Sequence, residues 1–195
     1  NAFETLWHFA QDKQQPAFVV LEDESLRAEL AKNVTLTSDR YFNAGVMLIN
    51  VPRWREERIS LQTFAVLSEK GATLQYLDQD ALNIVLENRF ATVDSKYNTI
   101  FKPGHGSEDY TALPPPETVF LHYAGADKPW QQWNKQAVCS YYSAIYRRSV
   151  WADRAYDLPK NDRQAKKMYK LMFREKKFLK GLKWYITYYL FRYLK

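Results

Sequence analysis

The stretch Gly45 to Gly71, GVMLINVPRWREERISLQTFAVLSEKG, contains two hydrophobic periodicities in succession. Gly45 to Ile49 is a continuous apolar run of strand length. After Pro52, Trp54, Leu61, Phe64 and Leu67 fall at helical spacing, and the segment closes on Lys70-Gly71. Proline in the first turn and glycine just past the last are the usual punctuation of a helix. A buried strand that runs directly into a helix predicts a layered α/β unit.

The flanking sequence repeats the pattern. Phe3 to Ala10 has a short helical spacing. Ala17 to Leu21 (AFVVL) is a second apolar run, bounded by Pro16 and by Glu22-Asp23-Glu24, which reads as a solvated loop. On the C-terminal side Asp78 precedes a helical run, Ala81 to Leu86, with Leu82, Val85 and Leu86 as its buried stripe. A third apolar run, Thr118 to Leu121, follows Pro114-Pro115-Pro116 and stops at His122, and a helix over about residues 135 to 148 closes the body. No internal repeat is present.

The 195 residues suffice for about one domain with a real core. The net charge of +6 is unevenly placed. Residues 1–159 carry 16 Lys/Arg against 20 Asp/Glu, whereas residues 160–195 carry 12 against 2. The expected division is therefore a slightly acidic body, 1–159, and a basic tail, 160–195, with Pro159 between them. Nine of the 31 aromatic residues lie in the tail. Met168, Leu171 and Met172, and then Leu182, Ile186, Tyr189 and Tyr193, predict one or two amphipathic helices, with Gly181 as a kink.

Such a tail fits an anionic surface. It cannot span a bilayer, because its longest uncharged run is Trp184 to Phe191 and a span needs about 20 apolar residues. Asn1 to Gln15 has no secretory pattern. The single cysteine, Cys139, excludes an intramolecular disulfide framework, points to a reducing compartment, and reads as a small packed hydrophobe. A nucleic-acid partner is not expected, since the body has no matching motif.

Three clusters carry possible chemistry. Tyr41-Phe42-Asn43-Ala44-Gly45 places small residues and an amide ahead of a strand. It fits either a turn or a place where a ligand approaches the backbone and meets Asn43. In Leu77-Asp78-Gln79-Asp80, Asp78 caps the helix with Asp80 in its first turn, or the two carboxylates and the amide converge on a polyhydroxylated ligand or a hard metal. In His122-Tyr123-Ala124-Gly125-Ala126-Asp127-Lys128, the imidazole is either structural or a metal ligand, with the Gly125 amide and Lys128 suited to phosphate oxygens. His105, between Gly104 and Gly106, reads as a loop residue.

In order along the chain, Tyr41 to Asn50, Asp78 to Asn83, Lys96-Tyr97-Asn98 and His122 to Trp130 resemble glycosyltransferase family 8. The basic aromatic tail resembles the C-terminal region of its bacterial lipopolysaccharide core hexosyltransferases. The four blocks spread from residue 41 to residue 130.

The resemblance implies an α/β fold of the GT-A type that moves glucose or galactose from a UDP-sugar to a lipopolysaccharide core acceptor. It further implies retention of configuration and the use of Mn or Mg. His122 matches the metal-binding histidine, and Gly125 and Lys128 match contacts to the donor diphosphate. Asn43, Ala44 and Asp80 match the substrate-binding positions, and Asp78 and Gln79 the reaction centre.

One departure from the family pattern is informative. The D-x-D pair expected to complete the metal site precedes the segment that Phe3 to Ala10 resembles, and Asp78-Gln79-Asp80 occupies a later block. The chain is therefore expected to be the C-terminal part of a longer enzyme, inactive alone, peripheral on the inner face of the bacterial inner membrane. The alternative is a non-catalytic membrane-surface module.

Overall fold

Ala17–Leu21 forms β1, the central strand of a three-stranded sheet in the computed structural model, which describes residues 2–11, 14–101 and 111–194. Two compact units divide the chain: Asn1–Ile100 with Pro115–His122, and Phe101–Pro114 with Tyr123–Lys195. Residues on both sides of Pro159 thus share the second unit.

In the first unit, β2 (Phe42–Ile49) pairs antiparallel and β3 (Phe90–Thr92) parallel to β1. Ala17, Phe18, Val19 and Val20 are all buried, so β1 is apolar throughout instead of alternating. One face packs into a core with Phe42, Ile59, Leu86 and Phe90, where the Phe42 and Phe90 rings meet edge-on with centroids 5.0 Å apart. On the other face Phe18, Trp7, Val46, Leu48 and Phe120 line an apolar cavity of about 780 Å³.

The β1–β2 register jumps from Val19↔Met47 to Val20↔Asn43. Ala44, Gly45 and Val46 therefore have no partner on β1, and their backbone is turned to other uses.

Helices surround the sheet. α1 is Ala2–Ala10, and α2 (Glu24–Asn33) is capped by Asp23, whose side chain accepts the Ser25 N–H. The helix expected after Pro52 is two helices, α3 (Val51–Glu56) and α4 (Ile59–Lys70), broken at Arg58 with φ 53°. The break shifts the phase of α4. Ile59 and Thr63 face the core, while Leu61 and Phe64, expected on the apolar face, are 65% and 66% exposed.

α5 is Leu77–Val85, beginning four residues before the expected Ala81, and its stripe of Leu82, Val85 and Leu86 packs as anticipated. A 3-10 turn, Ser95–Asn98, then leads into β4 (Thr99–Ile100). The third apolar run forms a short strand, β5 (Leu121–His122), parallel to β4 in a separate two-stranded sheet.

The second unit is helical: α6 (Cys139–Tyr146), α7 (Asp162–Arg174) and α8 (Phe178–Tyr193). α6 is shorter than the expected 135–148 helix. Asn161 caps α7 by accepting the Gln164 N–H at 3.0 Å. Met168 and Leu171 pack on Trp133, with Met172 and Trp184 alongside.

The tail turns at Glu175 to Lys177, where Lys176 has φ 56°. Gly181 is not a kink. It lies within α8, and a Cβ there would come 2.6 Å from the Phe173 ring, so glycine lets the two helices close on each other. Among the described residues no helix is long and apolar enough to cross a membrane.

Candidate active site

Two of the three residues displaced from the β1 ladder, Ala44 and Gly45, anchor the site. Ala44 donates its N–H to Gln79 Oε1 at 3.0 Å, and Gly45 donates its own to Asn43 Oδ1 at 2.9 Å. Side-chain amides thus replace the lost strand partners, as buried backbone requires.

Asn43, buried, links two further groups. Its Nδ2 donates to Glu22 Oε1 at 2.6 Å, and its Oδ1 also accepts from Asn98 Nδ2 at 2.9 Å. Asn98 Oδ1 lies 3.0 Å from His122 Nδ1. With the amide in that orientation, the imidazole donates a hydrogen from Nδ1 to Asn98 Oδ1.

The sequence suggested that Gly45 lets a ligand approach the backbone. The group that approaches is the His122 ring, whose Cε1 is 2.0 Å from where a Cβ would stand. Any side chain at position 45 would displace it.

Gln79 is held on all sides. Besides accepting from Ala44, its amide nitrogen lies 3.4 Å from Glu22 Oε1 and 3.3 Å from the Tyr41 hydroxyl. Asp80 is buried, accepting the Tyr41 hydroxyl through Oδ1 and the Tyr76 N–H through Oδ2 at 2.8 Å. Its carboxylate secures the start of α5 through these two bonds. Burial, reinforced by the bond to Asp80, pushes the Tyr41 phenol well above its ordinary range.

Asn83 fixes α5 to β2. Its Oδ1 accepts the Phe42 N–H at 2.8 Å, while its Nδ2 donates to the carbonyls of Phe42 and Gln79, each at 2.9 Å. Asp78 is exposed in the first turn and does not cap the helix, which starts at Tyr76 without a side-chain cap.

The structure therefore joins Asn43, Ala44, Gln79, Asp80 and His122 in one hydrogen-bonded chain, with Asp78 at its surface. Gly125 and Lys128 belong to the second unit. Gly125 has φ 80°, a conformation glycine adopts without strain. The Lys128 ammonium donates to the Tyr123 carbonyl at 2.6 Å, its backbone N–H donates to Gln131 Oε1 at 2.9 Å, and Gln131 Nε2 closes the loop on the Ala126 carbonyl at 3.1 Å. His105 lies outside the described residues. Cys139 is buried, and burial raises its thiol pKa, in keeping with a packed hydrophobe.

Sequence reasoning missed Gln131, and quoted Tyr41, Asn83 and Asn98 without a role of their own. Glu22 was grouped with a solvated loop, yet it stands directly at the C-terminal end of a buried strand, where open α/β sheets place their ligands. Among the described residues no three His, Cys, Asp or Glu side chains are grouped to hold a metal.

Known proteins resemble this chain along most of its length. Residues 1–134 match the family model described as Glycosyl transferase family 8, and residues 137–191 match Glycosyl transferase family 8 C-terminal. A lipopolysaccharide 1,3-galactosyltransferase of Salmonella typhimurium is 38% identical over 152 residues, 76% of this chain and 45% of that protein. A lipopolysaccharide 1,2-glucosyltransferase of Escherichia coli is 32% identical over 179 residues, covering 87% and 53%.

The crystal structure of the galactosyltransferase LgtC in complex with donor and acceptor sugar analogs is similar over 80% of this chain and 58% of that one, with a TM-score of 0.57 and 20% identity. That likeness concerns the fold, which is of the GT-A type. The chain spans about half the length of the curated relatives it matches.

Proposed function

The chain belongs to glycosyltransferase family 8, and from that premise we propose that it is the part of a retaining hexosyltransferase that moves glucose or galactose from a UDP-sugar to a lipopolysaccharide core acceptor. The observation that carries this reading is the continuous network from Gln79 through Glu22, Asn43 and Asn98 to His122. It holds an imidazole and a carboxamide at the C-terminal end of the sheet, and the relatives named above are lipopolysaccharide glycosyltransferases.

His122 suits a divalent cation as one ligand, because the hydrogen bond from Nδ1 to Asn98 orients the ring as outer-shell partners of metal-bound histidines do. Bound Mn or Mg would offset the negative charge that develops on a departing diphosphate. The resemblance assigns Lys128, in the second unit, to the donor diphosphate. One of its ammonium hydrogens is directed to the Tyr123 carbonyl and the other two remain available for phosphate oxygens.

The network also bears on how configuration is retained. Gln79 is an amide, a poor nucleophile, and its oxygen already accepts from Ala44. It can position a donor sugar but is badly placed to form a covalent adduct. Attack on the face from which the diphosphate leaves, within an oxocarbenium-like ion pair, is the reading it favours. Asp78, exposed beside it, would accept hydrogen bonds from sugar hydroxyls.

A transfer assay on the full-length protein with UDP-glucose, UDP-galactose and a deacylated lipopolysaccharide core tests the activity. Turnover of one donor that is lost on adding a chelator is expected, and no transfer from either donor refutes the reading.

Attachment to the inner face of the membrane is part of the same proposal, and the exposed face of α8 supports it. Tyr188 and Trp184 pack within the unit, while Leu179, Leu182, Ile186 and Tyr193 stand out beside Lys180 and Lys183. Each cation contributes about 1 kcal/mol near an anionic surface. Flotation with phosphatidylglycerol vesicles is expected at low salt and reduced at high salt, and absence of binding at low salt would remove the membrane role.

A further inference from the structure

The segment Arg147 to Arg154 (RRSVWADR), which follows α6, is firmly built and yet buries little of itself. Ser149 Oγ donates to the Tyr146 carbonyl at 2.8 Å and accepts the Trp151 N–H at 3.2 Å. The Arg154 N–H is donated to the Trp151 carbonyl at 2.9 Å, and the Tyr146 hydroxyl closes the turn on the Arg154 carbonyl at 2.8 Å.

Ordering these residues costs conformational entropy, and burial does not repay it. Val150 is 89% exposed and Trp151 58%. On α6, Ile145 is also exposed, as is Tyr141 one turn earlier on the same helix face. Single exposed apolar residues are ordinary, whereas a concentration of large ones marks a surface that meets something.

The charge of the turn says what it meets. Arg147, Arg148 and Arg154 are exposed, with Asp153 as the only carboxylate of the segment. None of the three arginines has an ion pair among the described residues. Arg154 instead lies over the Trp151 ring, its guanidinium carbon 5.8 Å from the centroid. A residue as exposed as Val150 stands at a convex tip, the reverse of the concave sites that enclose small molecules. A convex turn that carries cations, an indole and bare aliphatic groups suits the boundary of an anionic bilayer, where the ring lies at headgroup level and the guanidinium groups reach lipid phosphates.

We infer that Arg147 to Arg154 is a second point of contact with an anionic membrane, outside the basic tail: Val150 and Trp151 enter the interface, and Arg147 and Arg148 pair with lipid phosphates. The inference rests on the membrane attachment proposed above and adds to it. A single amphipathic helix leaves a protein free to swing, whereas two contacts on one compact unit fix how that unit is presented to the bilayer.

Val150→Cys, labelled with an environment-sensitive fluorophore, tests this in the 195-residue chain. The position is exposed, and the single native thiol, Cys139, is buried with a raised pKa, so the label goes to residue 150. With phosphatidylglycerol vesicles at low salt, the emission is expected to rise and shift to the blue, and to be quenched by lipids that carry a nitroxide near the headgroup. Phosphatidylcholine vesicles should do neither. Arg147→Gln with Arg148→Gln, in the unlabelled chain, should weaken binding to phosphatidylglycerol vesicles by about tenfold or more.

Vesicle binding by the parent with no change at the label leaves attachment through α8 standing and overturns the inference, as does a double variant that binds like the parent. A label response that grows with protein concentration in the absence of lipid would assign the turn to a second copy of the chain and also overturn it. No binding of the parent at low salt overturns the membrane role and the second contact together.

Discussion

Gly45→Ala isolates the contact that places His122. The new Cβ would stand 2.0 Å from His122 Cε1 and 2.7 Å from each ring nitrogen, where ordinary carbon contacts are about 3.5–4.0 Å. The ring must withdraw by about 1.5 Å, and its 3.0 Å contact with Asn98 cannot survive that movement. The lost bond costs about 0.5–1.5 kcal/mol. Against it, Gly45 has φ outside the left-handed range, so alanine is unstrained and gains about 0.4–1 kcal/mol by restricting the unfolded chain. The net change in stability is therefore less than about 1 kcal/mol. The damage falls on position instead: a displacement of about 1 Å at a reacting centre can reduce a rate by about 10²-fold. Urea unfolding of the parent, Gly45→Ala, His122→Ala and the double variant separates the two effects. In the His122→Ala background Gly45→Ala should become stabilising, with a coupling of about 0.5–1.5 kcal/mol. Zero coupling, or unchanged His122 ring signals in Gly45→Ala, would refute the argument.

Asp80→Ala should destabilise the protein by at least about 2 kcal/mol in urea, because the Tyr41 hydroxyl and Tyr76 N–H lose their buried acceptor. Asp78→Ala should change stability by less than about 0.5 kcal/mol and still reduce transfer by the full-length enzyme. Tyr41 links stability to pH. Its folded-state pKa lies above the unfolded value of 10.0, so its contribution is complete below about pH 10 and is lost as the pH rises and the unfolded chain gives up its proton first. Stability measured against pH should fall less steeply above pH 10 in Tyr41→Phe, by up to about 1.4 kcal/mol per unit.

The parts of the fold legible in the sequence are those where burial is complete. β1 occupies the residues of AFVVL because both faces are covered, and the Leu82, Val85 and Leu86 stripe was readable because one helix face meets one core. Periodicity alone does not say which face is covered. Leu61 and Phe64 have helical spacing, but the left-handed Arg58 restarts the helix in a different phase. Leu182, Ile186, Tyr189 and Tyr193 recur in the same way, but Gly181 and Tyr188 form the buried seam of α8. In the site, motif order placed Asn43, Gln79 and His122 together. Glu22 and Asn83 act through partners far away in sequence, and local pattern contains no trace of such pairing.

The parallel pairing of β1 with β3 also sets the order in which the chain can fold. All of α2 to α5 lies between the two strands, so loop closure must precede their contact, and such non-local pairing is slow. The α7–α8 hairpin needs only a three-residue turn and can close early once made. During synthesis at about 5–20 residues per second, AFVVL waits several seconds for β3 to emerge. The strand that is most completely buried in the finished unit is thus also the apolar stretch left longest without its parallel partner.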